Sequence, residues 1–183
     1  MRPEPTVRPV PDEIAPRARE IVSAARELLE EEGTEGLSMR RLAERLGIRA
    51  PSIYKHLPSK QALEAVLISE GFAEWAELAE QAVRDSDDPL PALGRAYRRF
   101  AQSHPHLYRL MTEQALARDM LTPGIEARAA RPVIEAAGGD PDLARALWAF
   151  AHGMVILELN DRFPPDADLD AAWARGLEAF ASD

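Results

Sequence analysis

Residues 38–60 read SMRRLAERLGIRAPSIYKHLPSK. Six of these side chains are Lys or Arg (Arg40, Arg41, Arg45, Arg49, Lys55, Lys60) and only Glu44 is acidic, in a chain whose formal net charge is -9. A cationic segment this concentrated marks the place where an otherwise acidic protein meets a polyanion. The hydrophobic pattern agrees. Met39, Leu42, Ala43 and Leu46 form one helical stripe that ends at Gly47. After a turn, a second short run opens with Pro51, which suits the first position of a helix because no intrahelical bond needs its missing amide proton. Two short helices joined this way make a helix-turn-helix.

In the second helix only Ile53 and Leu57 are apolar, and their four-residue separation puts them on one face. The opposite direction holds Pro51, Ser52 and Lys55, with Tyr54 and His56 on the flanks. Small, polar, aromatic and cationic side chains suit a helix laid into a major groove. Phosphate contacts are expected from Arg40 or Arg41, from the Tyr54 hydroxyl, and from Lys60 near the start of the next helix. By charge alone an ordinary solvated surface explains the segment equally well, since helix-turn-helix geometry also occurs in proteins that bind no DNA.

The run from Ile21 to Leu67 resembles the DNA-binding domain of the tetracycline-repressor (TetR) family. IVSAARELLEEEG leads through residues 34–38 into MRRLAERLGI, then APSIYKHLPSK, then QALEAVL. The most specific part, Ile53 to Lys60, is close to the family's LYxHFxxK run, with Leu57 where Phe is usual, so the position stays apolar. The strong match covers about a quarter of the chain. The resemblance implies that Tyr54, His56 and Lys60 touch or support phosphates. It also implies that Arg49, Ser52 and Lys55 vary with the operator.

At 183 residues and 46% hydrophobic content the chain can bury a substantial core as one compact unit or two small ones. It has no cysteine, which excludes disulfides and thiolate metal sites, and MRPEPTVRPVP lacks the apolar core of a signal peptide, so a cytoplasmic location is expected. Charge is unevenly spread: residues 1–60 sum to +1 and residues 61–183 to -10. That asymmetry fits a DNA-reading end and an acidic body that repels DNA.

Prolines at 3, 5, 9 and 11 exclude a regular helix over residues 1–12 and predict a flexible arm from which Arg2 and Arg8 could reach DNA. The DNA-binding domain is then expected over 13–60 and a helical regulatory and dimerisation domain over 61–183. A first helix with Ala18, Ile21, Val22, Ala25, Leu28 and Leu29 stops at Gly33. A long helix runs from Lys60 to the DSDDP turn at 85–89. Further helices are expected over 91–103, 105–116 and 122–137, the last made irregular by Pro132. No strand-like alternation occurs, so an all-α protein is predicted.

The segment ALWAFAHGMVIL, residues 146–157, is apolar or Gly at every position except His152. Such a helix must be covered on more than one side, and it is about half the length a bilayer requires. A helix packed on its own domain and on a second subunit fits better. Ile156 on this segment, with Leu169, Trp173, Leu177 and Phe180 on the last helix, is expected to form a four-helix dimer interface. Trp148, His152 and Gly153 also resemble a motif of one C-terminal domain class of the TetR family, the Trp/His/Gly (WHG) class. A satisfied structural histidine is the simpler account of His152.

An effector cavity is expected from Phe72, Trp75, Phe100, Tyr108, Met111, Met120 and Trp148, with His104 and His152 as polar groups. The absence of a basic cluster there favours a largely apolar ligand over a phosphorylated one. Motifs for catalysis, phosphate loops and metal sites are missing, and His104 and His106 read as a turn around Pro105 rather than metal ligands. No enzyme, cofactor or metal is therefore expected. The predicted function is a dimeric, ligand-responsive regulator, most simply a repressor, bound to double-stranded palindromic operator DNA. The alternatives are an architectural DNA-binding protein and a regulator controlled by a protein partner.

Overall fold

The computed structural model describes residues 15–181, so the expected arm at 1–12 lies outside the described residues. Among the described residues there are nine α-helices and no strand, as the hydrophobic periodicity predicts: α1 Pro16–Gly36, α2 Met39–Arg45, α3 Ala50–Tyr54, α4 Lys60–Arg84, α5 Pro89–Ser103, α6 Pro105–Thr112, α7 Ile125–Ala136, α8 Pro141–Leu159 and α9 Leu169–Ala181. A single 3-10 turn, Arg118–Met120, lies between α6 and α7. No helix of the described residues is long and apolar enough to cross a membrane.

The helix ends follow local chemistry. Gly33 sits at φ 73°, breaking the helical path three residues before the end of α1. Ser38 caps α2 by accepting from the Arg41 amide at 3.3 Å. At the other end of α2, Gly47 at φ 63° lets Ile48 N–H reach the Ala43 carbonyl at 3.0 Å, while its own N–H reaches Glu44. Ser59 caps α4 through the Ala62 amide at 3.0 Å. Asp140 caps α8 through the amides of Asp142 and Leu143. Unlike the expected irregular segment, α7 continues through Pro132 as one helix.

Two compact units result. The first holds residues 15–71 and His106–Ile125; the second holds Phe72–Pro105 and residues 126–181. The chain passes from one to the other inside α4. The first unit therefore takes in more than the segment 13–60 expected to bind DNA. Short helices α2 and α3 cannot bury their own stripes, and α1, the first half of α4 and α6 supply the cover. Ile21, Leu29, Leu42, Ile53, Leu63, Leu67, Leu107 and Leu110 are fully buried there. Gly71 admits α6: a Cβ on it would stand 2.5 Å from Met111 Sδ and 3.0 Å from Leu107 Cδ2.

In the second unit α5, α8 and α9 pack on one another. Gly94 of α5 lets Leu177 of α9 sit against its backbone, and Gly176 of α9 does the same for the Phe150 ring of α8. Trp75 meets Tyr97 edge-on at 5.1 Å between ring centroids and Phe100 at 6.3 Å. Trp173 and Leu177 are 5% and 6% exposed within their own unit. Their own chain covers most of these two side chains, whereas Leu169 and Phe180 on the same helix stay half-buried.

Candidate nucleic-acid interface

The reading helix is positioned from beneath. Ile53 and Leu57 are buried, and the amides of His56 and Leu57 both bond the Ile53 carbonyl at 2.9 Å, tying the turn after α3 to the helix itself. Pro51, Tyr54, Lys55 and His56 are exposed, with Tyr54 48% accessible, and Ser52 is half-buried. The regular helix is shorter than the sequence pattern suggests: it starts one residue earlier, at Ala50, and yields to turns after Tyr54. Arg49 is its N-cap residue and is exposed. The face opposite the two apolar anchors is thus presented to solvent with the residue types expected of it.

The cations of residues 38–60 are less free than their number suggests. Arg45 forks onto Glu31, with Nη1 to Oε2 at 2.6 Å and Nη2 to Oε1 at 2.7 Å, and Nη2 also donates to Glu27 Oε2 at 3.2 Å. Arg41 donates to Glu32 Oε1 at 2.7 Å. Arg40 lies 3.5 Å from Glu44 and Lys60 lies 3.3 Å from Glu64, each one helical turn away. Among the described residues only Arg49 and Lys55 of the six have no carboxylate partner. The hydrogen bonds from Arg45 hold the Glu31 carboxyl below its ordinary pKa, and those to Glu31 and Glu27 hold the Arg45 guanidinium above its own. Glu27, Glu31 and Glu32 all lie toward the end of α1. Their partners stand nine to eighteen residues away, beyond the reach of helical periodicity.

The nine residues expected to line an effector cavity are divided between the two units. Phe72, Trp75, Phe100, His104, Trp148 and His152 belong to the second; Tyr108, Met111 and Met120 belong to the first. Within the second unit Trp148 is 54% exposed, its ring 6.0 Å from that of His152, and its indole N–H donates to the Tyr97 hydroxyl at 3.1 Å. His104 lies 5.7 Å from the Phe100 ring. Tyr97, which joins Trp148 to Trp75, is the member that sequence reasoning missed. Within the first unit Tyr108 and Met111 are buried and Met120 is half-buried. Two recesses in this unit, an open one of about 480 Å³ along α1 and one of about 90 Å³ beside α4 and α6, include none of the nine. His104 and His106 fall in different units, and the His106 ring covers Gly33 at 3.2 Å from where a Cβ would stand.

Of the residues expected at a subunit interface, Ile156, Leu169 and Phe180 are half-buried, unlike Trp173 and Leu177. On α8 the direction away from the buried Ala144, Leu147, Ala151 and Val155 carries Ala146, Ala149, Gly153 and Leu157. Leu157 is 41% exposed, and a Cβ on Gly153 would meet nothing within 4 Å.

Comparison with known proteins gives matches over both units. A family profile described as "Bacterial regulatory proteins, tetR family" matches residues 21–67, and one described as "Tetracyclin repressor-like, C-terminal domain" matches residues 90–180. An uncharacterized HTH-type transcriptional regulator of Mycobacterium tuberculosis is 31% identical over 163 residues, covering 84% of this chain and 74% of that protein. Another, from Bacillus subtilis, is 26% identical over 170 residues, covering 88% and 89%. The structure of a single-substitution TetR variant from Acinetobacter baumannii AYE in complex with minocycline aligns with a TM-score of 0.60 at 26% identity, covering 87% of this chain and 91% of that one.

Proposed function

This chain belongs to the TetR family of bacterial helix-turn-helix transcriptional regulators, and on that premise we propose that it is a repressor that grips a palindromic operator as a dimer and releases it when a small molecule binds. The observation that carries the DNA half of this reading is the outward face of α3, where Tyr54, Lys55 and His56 stand exposed beside Arg49 over the buried anchors Ile53 and Leu57. Tyr54, His56, Lys60 and Arg40 serve phosphates, and Arg49, Ser52 and Lys55 read the groove. The weak one-turn pairs of Arg40 and Lys60 are readily exchanged for phosphate, because exposed pairs of this kind hold by only about 0.3–0.5 kcal/mol. Operator selection from random DNA, followed by titrations at several salt concentrations, tests it. Lys60→Ala should weaken operator and random duplex alike and lower the salt slope by about one ion. Tyr54→Phe should weaken both without changing the slope. Unchanged affinity in both variants would remove the phosphate assignment.

The outward strip Ala146, Ala149, Gly153 and Leu157 of α8, with Ile156, supports a dimer face in which small residues let two helices approach closely. Trp148, His152 and Gly153 support placing the C-terminal region in the WHG class. In the effector half of the reading, a largely apolar ligand engages the aromatic group of Trp75, Tyr97, Phe100 and Trp148, with His104 and His152 as polar contacts. Such a ligand should raise the melting temperature of the free protein and lower operator affinity together. Control by a protein partner is the second reading, favoured by the exposure of Trp148. A ligand screen by melting shift that yields no hit, with a partner that releases operator, would select it.

A further inference from the structure

The most cationic segment of this acidic protein is partly neutralised from within, and the pairing is not uniform along it. Arg49 and Lys55, which flank the reading helix, have no carboxylate partner among the described residues, and Arg40 and Lys60 have only one-turn partners at 3.5 and 3.3 Å. Arg45 is held differently. Both of its terminal nitrogens are engaged, in a planar fork on both oxygens of Glu31 plus a third bond to Glu27. That fork is the geometry in which a guanidinium grips a phosphate. Arg41 has a short bond to Glu32, from the same end of α1.

We infer that Glu27, Glu31 and Glu32 act as internal substitutes for DNA phosphates, withholding Arg45 and Arg41 from nucleic acid and keeping sequence-independent affinity low. The inference rests on the reading of residues 38–60 as the DNA-binding element and refines it. Non-specific affinity is set by the number of phosphates neutralised, each adding about 0.9 to the logarithmic salt slope. A phosphate approaching Arg45 must displace two carboxylates that already saturate its fork, whereas at Arg49 or Lys55 it displaces only water. In the same contacts Arg45 and Arg41 become positioning residues: they tie α2 to the end of α1 and so help fix the angle at which α3 is presented. Two arginines that sequence alone counts toward DNA thus belong to the scaffold.

The test is a charge cycle on the full chain, read by titration of a random-sequence duplex and the selected operator duplex from low to moderate salt. Glu27→Gln with Glu31→Gln frees the Arg45 fork while leaving every arginine in place. Random-duplex binding should tighten severalfold at low salt and its slope should steepen by about one ion. Adding Arg45→Gln to that pair should return both quantities to those of the parent, because the freed guanidinium is then gone. Arg45→Gln alone should leave the random-duplex slope unchanged. The inference is overturned if Arg45→Gln alone lowers the slope by an ion, if the carboxylate pair leaves the slope unchanged, or if the triple variant keeps the tighter binding. The last result would assign the effect to the general field of the removed charges. Melting curves and far-ultraviolet circular dichroism of each variant separate these outcomes from unfolding. Failure of the parent to bind either duplex would instead reject the DNA-binding reading itself.

Discussion

Each unit ties its own helices with an arginine cluster, and the two clusters are built to opposite designs. In the first unit Arg45, Glu31 and Glu27 sit at the surface, with side chains 30%, 55% and 60% exposed. In the second, Arg98 of α5 bonds Glu158 of α8 at 2.8 Å, and the two side chains are only 22% and 7% exposed. Glu158 also accepts from Gln102 at 3.1 Å and from the Trp173 indole, and Arg98 reaches Asp170 on α9. Burial pulls the Arg98 pKa down, but its hydrogen bonds to Asp170 and Glu158 outweigh that and hold it above the ordinary value. Water screens the first cluster, so its geometry matters chiefly for which cations remain available. In the second, Glu158 is shielded from water and Arg98 largely so, and the loss of Glu158 is compensated poorly.

The largest effect is therefore expected at Glu158. Glu158→Ala removes one of the two carboxylates that meet Arg98 and leaves the part-buried Trp173 indole without its acceptor, and should cost about 3 kcal/mol in urea unfolding. Glu158→Gln, which keeps two of the hydrogen bonds, should cost less. Glu31→Ala should hardly move the unfolding midpoint. Equal losses at Glu158 and Glu31 would erase the distinction between the clusters.

The glycines of the second unit sharpen the same contrast between what the chain covers and what it leaves open. A Cβ on Gly176 would stand 2.0 Å from Phe150 Cζ, a rigid ring with little room to retreat. Gly176→Ala should lose about 1–3 kcal/mol of stability as the helices are forced apart. Gly153→Ala meets nothing in its own chain and should gain up to about 1 kcal/mol from helix propensity. If the α8 strip is where two subunits cross closely, the same substitution should weaken the dimer in sedimentation experiments. A Gly153→Ala protein that is both more stable and equally dimeric would move the interface elsewhere.

Between these lies Ser69, the one buried polar residue of the described core. Its hydroxyl donates to the Ala65 carbonyl at 2.8 Å and accepts from the Thr122 amide at 3.0 Å, pinning the turn after α6 to α4. Ser69→Ala should cost about 1 kcal/mol and speed hydrogen exchange of the Thr122 amide. An unchanged exchange rate would show the pin to be idle.

What the sequence made legible was local. The glycine stops at 33 and 47 both take positive φ, and the anchors Ile53 and Leu57 are buried as their spacing requires. Identity of the partner was not legible. The stripe through Trp173 and Leu177 reveals an apolar face, but periodicity is silent on whether that face meets the same chain or another. Likewise a count of six cations carries no information on which are met by Glu27, Glu31 and Glu32, because those pairs close only when α1 and α2 pack. Residues separated by 60 positions, such as Arg98 and Glu158, are joined by the fold alone.

The smallest expected effect concerns Glu31 and asks how firmly the exposed cluster is held. Hydrogen bonding to Arg45 depresses its pKa below the ordinary 4.5, a modest opposing push coming from partial desolvation. A depressed folded-state value means the contribution to stability is fully present above about pH 5, and is lost as pH falls through the folded pKa. Acid should therefore loosen the grip of α1 on α2 before it affects the apolar core. The carboxyl carbon resonance of Glu31, assigned by comparison with Glu31→Gln, should titrate at lower pH than that of a free glutamate. In Arg45→Gln it should return toward the ordinary value. Coincident titrations in the two proteins would mean that the fork is loosely populated in solution, and would leave Arg45 free to meet DNA.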